Sequence, residues 1–221
     1  MCGRYVLNGS PVDIKTRFQI KSDLPFFRPH FNVTPGMMMP VITADGSENK
    51  AVLAKWGLIP SWAKDPNIGY KMINARSETI LEKPSYKKPF MEKRCLIPAS
   101  GFYEWMRLEK EKIPYFIKLK SADIFSMAGI YDIWKDAEGK SLISFTIITT
   151  IPNQLMEKIH NRMPVIIPAN LENKWLDLNN RNMDDLTGML ISYNGKDMDA
   201  YPVSKMVNSP ENDSTELIQK I

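Results

Sequence analysis

Apolar and polar positions alternate, or apolar residues run together briefly, over most of the middle of the chain, with Val, Ile, Phe and Tyr prominent. That is the period of β-strands. It predicts strands over 3–7, 38–43, 51–56, 94–98, 101–107, 115–119, 124–131, 142–149, 165–167 and 199–203. Asp45-Gly46 between two of them is a hairpin signal. Glu109-Lys110-Glu111-Lys112 and Asp136-Ala137-Glu138-Gly139 read as turns. Helical spacing is confined to short pieces. Ser10-Pro11-Val12-Asp13 offers an N-cap, a proline at the first helical position and an acid at the third, and predicts a helix over 11–20 with Val12, Ile14 and Phe18 as its apolar positions. Shorter helices are predicted over 77–81 and 85–91, started by Ser77 and Ser85, and over 154–159, 169–176 and 184–191. Residues 21–36 and 57–67 read as structured loops, and the tail from 209 is polar.

Helices neither alternate regularly with strands nor collect in one half, which disfavours a parallel doubly wound sheet. The pattern predicts an α+β fold: a single domain over 1–221, with mostly antiparallel β-sheets forming a barrel-like core and short helices at its periphery.

Composition narrows the class further. At 221 residues the chain suits one domain. Its 43% hydrophobic and 24% charged residues are ordinary for a soluble globular protein. No apolar run approaches the roughly 18 residues of a membrane span, and the N-terminus lacks a signal region. A cytoplasmic protein without membrane contact is expected. The two cysteines, Cys2 and Cys95, are too few for a disulfide scaffold. Cys95 lies in the apolar run Cys95-Leu96-Ile97-Pro98 and reads as a packing residue. Lys plus Arg is 29 against 25 for Asp plus Glu, a net +4 that permits a polyanionic partner without demanding one. The cluster Lys87-Lys88 and Glu92-Lys93-Arg94, with Tyr86 and Phe90, reads as a solvated helix face. Two histidines and two cysteines without ligand spacing make no zinc site. A Gly-rich phosphate loop and a nucleophile elbow are also missing, so no metal and no cofactor is expected.

Four places can carry chemistry. Cys2 follows Met1 directly; once Met1 is removed it holds a free amine and a thiol on one residue, able to close a five-membered ring on one aldehyde carbon. Glu104 shares an alternation face with Phe102 and Met106, which makes it either an edge residue or an interior carboxylate of raised pKa. His160, in Ile159-His160-Asn161-Arg162-Met163-Pro164, sits where an imidazole can act as acid or base, or be merely structural. Asn74 and Arg76 share a face if extended, an amide and a guanidinium suited to a phosphate-bearing substrate. Trp62 can stack on a base or anchor its loop. His30 reads as structural.

These segments together resemble the SRAP family, the SOS-response-associated peptidases that shield abasic sites. The matching blocks are Met1-Cys2-Gly3-Arg4-Tyr5, Phe31-Asn32-Val33-Thr34-Pro35, Trp56-Gly57-Leu58-Ile59-Pro60-Ser61-Trp62, Ile73-Asn74-Ala75-Arg76-Ser77-Glu78-Thr79, Gly101-Phe102-Tyr103-Glu104-Trp105, His160-Asn161-Arg162-Met163-Pro164 and Pro202-Val203-Ser204, in family order. The resemblance implies covalent capture of abasic sites in single-stranded DNA by Cys2, as a thiazolidine, after self-processing of Met1. It implies Asn74, Glu104 and His160 around Cys2. Arg4, Arg76 and Arg162 would lie near DNA phosphates, Asn32 and Thr149 along the nucleic-acid path, and Pro35 with Trp62 as a wedge between bases. Ala63 stands where some members carry a second Trp, which implies a smaller wedge. The partner implied is single-stranded DNA with abasic sites, bound by a monomer. The opening Met-Cys-Gly is also that of glutamine amidotransferases, N-terminal-nucleophile amidohydrolases, although the order of strands and helices does not suggest their stacked-sheet architecture. A third reading is a non-covalent single-strand-binding module using Arg76, Arg162 and Trp62.

Overall fold

A computed structural model describes residues 2–46, 48–109 and 111–221. In chain order the strands are β1 Arg4–Leu7, β2 His30–Val33, β3 Met38–Asp45, β4 Glu48–Trp56, β5 Asn74–Arg76, β6 Arg94–Ala99, β7 Gly101–Leu108, β8 Glu111–Leu119, β9 Phe125–Lys135, β10 Ser141–Thr150, β11 Met163–Pro164, β12 Ile166–Ile167 and β13 Met198–Pro202. The α-helices are α1 Pro11–Arg17, α2 Pro84–Glu92, α3 Glu172–Leu176 and α4 Met183–Gly188.

Two sheets form the body. In the larger one β10, β4, β3, β6 and β9 pair in succession, and β9 pairs back to β10, closing a five-stranded barrel. The β10–β4 and β10–β5 pairs are parallel and the others in this sheet antiparallel. The second sheet, in the order β13-β8-β7-β1-β2, is antiparallel throughout. This is the predicted α+β fold with a barrel-like core.

Period-2 alternation fills both faces of β1. Cys2, Tyr5 and Leu7 join the main core between sheet and barrel, where the Tyr5 ring meets Trp56 edge-on at 5.2 Å between centroids. Val6 turns the other way, into a small second core with Tyr103, Phe116, Val203, Val207 and Leu217. The tail from 209, read as polar, contributes to that second core. Leu217 is fully buried, and burying a leucine stabilises by about 1.5–3 kcal/mol. Asp213 accepts backbone N–H bonds from Phe31 (2.6 Å) and Asn32 (3.1 Å) and pairs with His30 (2.6 Å), so the tail is strapped across β2.

Several helix predictions also change. The Ser10 capping box forms as read, but α1 stops at Arg17 and Val12 points outward, 71% exposed. Ile14 and Phe18 alone carry its apolar face. Residues 77–81 and 154–159 yield only 3-10 turns, at Ser77–Thr79 and Met156–Lys158. The segment 169–176 is split into a 3-10 turn and α3, and α4 is capped by Asn182. Helix α2 begins at Pro84 behind Lys83, so Ser85 is not its cap; Pro at the first turn needs no N–H partner. Its Lys87 and Lys88 are exposed while Tyr86 and Phe90 pack inward, but Arg94, read as part of the same solvated face, begins β6 and is buried, donating to the carbonyls of Trp175 and Phe90. Strand β2 arises in the stretch read as loop because β1 and the tail supply its partners. Glu111 and Lys112 begin β8 instead of continuing a turn, and Lys110 and Ser47 lie outside the described residues. Among the described residues no helix is long and apolar enough to cross a membrane.

Candidate active site

The candidate centre lies at the seam between the two sheets. Cys2 leads into β1 of the smaller sheet, next to β7, and Asn74 opens β5 on the edge of β10. The Asn74 side-chain amide donates to the Cys2 carbonyl at 2.9 Å and so ties one sheet to the other. Its own backbone carbonyl accepts from the Tyr86 hydroxyl at 3.3 Å. The Asn74 Oδ1 is buried without a hydrogen-bond partner among the described residues, an acceptor held ready for a donor.

Glu104 is an interior carboxylate, 2% exposed, which decides between the two options left open by alternation. Burial pushes its pKa up, opposed in part by the Trp105 backbone N–H. His160 approaches with Nε2 at 3.9 Å from Glu104 Oε2. The Arg162 backbone N–H donates to His160 Nδ1 at 3.1 Å. Nδ1 also stands 3.3 Å from the Arg162 carbonyl, so it accepts from that N–H in one tautomer and donates to that carbonyl in the other. Burial lowers the His160 pKa, which keeps the ring neutral. Cys2 is fully buried, and burial followed by the Glu104 carboxylate pushes its thiol pKa far up. The thiol is therefore protonated and needs a base to act. Asn74 thus contacts Cys2 directly, the Glu104 carboxylate bears on its thiol, and His160 stands beside Glu104. Met1, whose removal would release the amine, lies outside the described residues.

The residues expected along nucleic acid divide into two groups. Arg76 is exposed on β5, and no side-chain partner engages it among the described residues. Trp62 is 62% exposed on a loop whose backbone is fixed: Asp132 accepts from the Ser61 N–H at 2.7 Å and pairs with Lys93, and the Trp134 indole donates to the Ala63 carbonyl at 2.7 Å. Pro35 is half-buried in the turn after β2. By contrast, Arg4 is tied to Asn32 Oδ1 (2.8 Å) and to the carbonyls of Val207 (2.7 Å) and Asn208 (3.2 Å). Asn32 is 2% exposed, and its amide donates to the tail carbonyls of Ser209 (3.0 Å) and Asn212 (2.8 Å). Arg162 forms a fork on Glu78, at 2.5 and 3.0 Å, and donates to the Thr149 carbonyl at 2.6 Å. Thr149 is fully buried. In this structure Arg4, Asn32, Thr149 and Arg162 are engaged by the protein itself.

Reading the sequence alone missed Tyr70, Glu78, Arg107 and Lys112. Tyr70 is 63% exposed beside the Gly36 turn, with Lys55 over its ring. Glu78 was visible within a matching block, but its pairing with Arg162 is long-range. Arg107 and Lys112 had no signal beyond their charge. No three side chains among Cys, His, Asp and Glu gather as a metal site among the described residues.

The sequence model of the SOS response associated peptidase (SRAP) family matches residues 1–210. The abasic site processing protein YoqW of Bacillus subtilis is 52% identical over 222 residues, 99% of each chain. The abasic site processing protein HMCES of Xenopus tropicalis is 31% identical, covering all of this chain and 78% of its own. A crystal structure of a protein from Bacteroides thetaiotaomicron superposes over the full length of both chains with a TM-score of 0.91 and 32% identity. The chain belongs to the SOS response associated peptidase family.

Proposed function

We propose that this protein captures abasic sites in single-stranded DNA by forming a thiazolidine on Cys2, and that it first removes its own Met1. The observation that carries this reading is the convergence of Asn74, Glu104 and His160 on the one residue able to offer both an amine and a thiol. The names borne by the Bacillus and Xenopus relatives, abasic site processing proteins, support the substrate class.

An abasic deoxyribose exchanges between a closed hemiacetal and an open aldehyde. The freed Cys2 amine, with an ordinary pKa of roughly 7.7–8.0, adds to C1′ and gives a carbinolamine. Loss of water leaves an imine, a covalent intermediate. The Cys2 sulfur then adds to the imine carbon while its proton passes to the nitrogen, and the ring closes. The net change is aldehyde plus aminothiol to thiazolidine plus one water. Both nucleophiles sit on one residue, so closure is intramolecular and gains a large effective concentration. His160, held neutral, accepts and returns protons at the carbinolamine. Glu104, with its raised pKa, donates to the departing oxygen, and Asn74 orients the adduct. Sulfur addition consumes the imine that would otherwise drive strand cleavage by β-elimination.

The test is to incubate the protein lacking Met1 with an abasic single strand and to measure intact mass. The expected adduct equals the sum of the two less one water and survives denaturation. A Cys2→Ala variant that crosslinks as well as the unaltered protein would falsify the thiazolidine. Ammonia release from glutamine that depends on Cys2 would instead favour the amidohydrolase reading. Equal, purely reversible binding of intact and abasic strands would favour the binding-module reading.

A further inference from the structure

Strand β1 begins at Arg4, opposite Tyr103, so from Glu104 onward β7 has a strand neighbour on one side only. The open edge borders a cavity of about 360 Å³ lined by Glu104, Trp105, Arg107, Lys112, His160 and Asn208. Arg107 and Lys112 stand directly opposite each other in the β7–β8 register. Like charges in that relation repel and weaken a hairpin. Among the described residues neither has an ion pair or a side-chain hydrogen bond, and the neighbouring Glu111 pairs with Lys205 at 2.8 Å. Two facing cations thus border the same cavity as the Glu104–His160 pair.

The far wall of the cavity is firm. The Trp105 indole donates to Asn208 Oδ1 at 2.8 Å, and the Asn208 carbonyl accepts from Arg4 at 3.2 Å. Arg4 and Arg162 are engaged with protein groups. Among the described residues, Arg107 and Lys112 at the cavity and Arg76 on β5 are not so engaged.

We propose that Arg107 and Lys112 form a phosphate subsite that holds the phosphodiester on one side of the abasic sugar. A phosphate there offsets the cross-strand repulsion and takes charge-assisted bonds, forked from the guanidinium and single from the ammonium. The proposal rests on the abasic-strand reading above. It adds where the strand leaves the centre, along the open edge of β7 and the Trp105 wall.

The test uses single strands carrying tetrahydrofuran in place of the abasic sugar, which bind but cannot react. The analogue is placed in the middle of the strand, at its 5′ end or at its 3′ end. Against the central analogue the double variant Arg107→Ala/Lys112→Ala should bind roughly tenfold more weakly than the unaltered protein, with a salt slope shallower by about 0.7 per lost phosphate contact. On one of the two end-placed strands, the one lacking that phosphate, variant and unaltered protein should converge; on the other the difference should persist. Lys112→Gln alone, at an exposed position, should give part of the loss. Equal affinity on the central strand overturns the subsite, and so does the same loss on both end-placed strands, which would mean an effect through the fold or through His160. A protein that binds the analogue in this pattern but forms no adduct with a true abasic strand leaves the subsite standing and rejects the capture chemistry. One that forms the adduct while the double variant binds like the unaltered protein rejects the subsite alone.

Discussion

His160 Nε2 stands 3.9 Å from Glu104 Oε2, and burial moves the two groups in opposite directions: the carboxyl pKa rises and the imidazole pKa falls. The two titrations therefore approach each other, which suits a pair that passes protons between its members.

The first prediction concerns rate against pH. His160 must be neutral to accept a proton, and its lowered pKa keeps it so to more acidic pH than a free imidazole. Adduct formation should slow as pH falls through the amine range of roughly 7.7–8.0, and a second, His160-dependent loss should set in only below about pH 6.5. His160→Ala should slow the reaction by roughly 10²–10⁴-fold. Single-turnover rates of both proteins across the pH range read this, and a His160-dependent limb at or above the free-imidazole value would contradict the assignment.

The second concerns stability. A carboxyl raised by burial ionises more readily in the unfolded chain. As pH rises above about 4.3, the unfolded chain loses its proton first, and the folded state is penalised increasingly until its own pKa is passed. Glu104→Gln should remove that penalty and raise stability at neutral pH by about 1–2 kcal/mol while adduct formation falls. Thermal unfolding of both proteins at acidic and neutral pH is the check. A Gln variant less stable at pH 7 would mean that the ionised carboxylate is favoured in the fold.

The three arginines should separate by stability. Arg4→Ala would leave Asn32 and two tail carbonyls without their donor, and Arg162→Ala would strip Glu78 and Thr149. Each should lower unfolding free energy by about 1–3 kcal/mol without DNA present. Arg76→Ala, at an exposed position, should stay within about 0.5 kcal/mol and weaken single-strand binding alone. Denaturant titration beside a binding isotherm distinguishes them; an Arg76→Ala protein as unstable as Arg4→Ala would give Arg76 a structural duty.

Trp62 and Asp132 form a complementary pair of tests. Trp62→Ala removes an exposed ring and should leave stability within about 0.5 kcal/mol while weakening binding to strands with adjacent bases. Asp132 is 4% exposed and holds both Lys93 and the Ser61 N–H, so Asp132→Ala should cost about 2–3 kcal/mol and weaken the same binding by releasing the loop. Unchanged binding in a folded Asp132→Ala protein would show that the loop needs no such tie.

Much of this was readable from the chain. Alternation located most of the strands because a half-buried strand writes its period into adjacent residues. The ordered blocks around Cys2, Asn74, Glu104 and His160 identified the family, and the fold places Asn74 on Cys2 and His160 beside Glu104. The α1 capping box was legible because it is a local bond between Ser10 and Asp13. What failed was non-local. Val12 reads as core by type, yet nothing packs over that face of α1. Strand β2 and the buried tail were missed because their partners lie some 180 residues apart, as in the Asp213 bond to Phe31.

The sequence by itself determined the strand-rich α+β class and the family, since these depend on residue type, local period and ordered motifs. The tertiary structure alone decided barrel closure through β9 and β10, the burial of Glu104, and which arginines are engaged by the protein. It also set Arg107 against Lys112 at the cavity edge. A guanidinium has the same five donors wherever it stands in the chain; which acceptors reach it is fixed only when distant carbonyls and carboxylates are brought within about 3 Å.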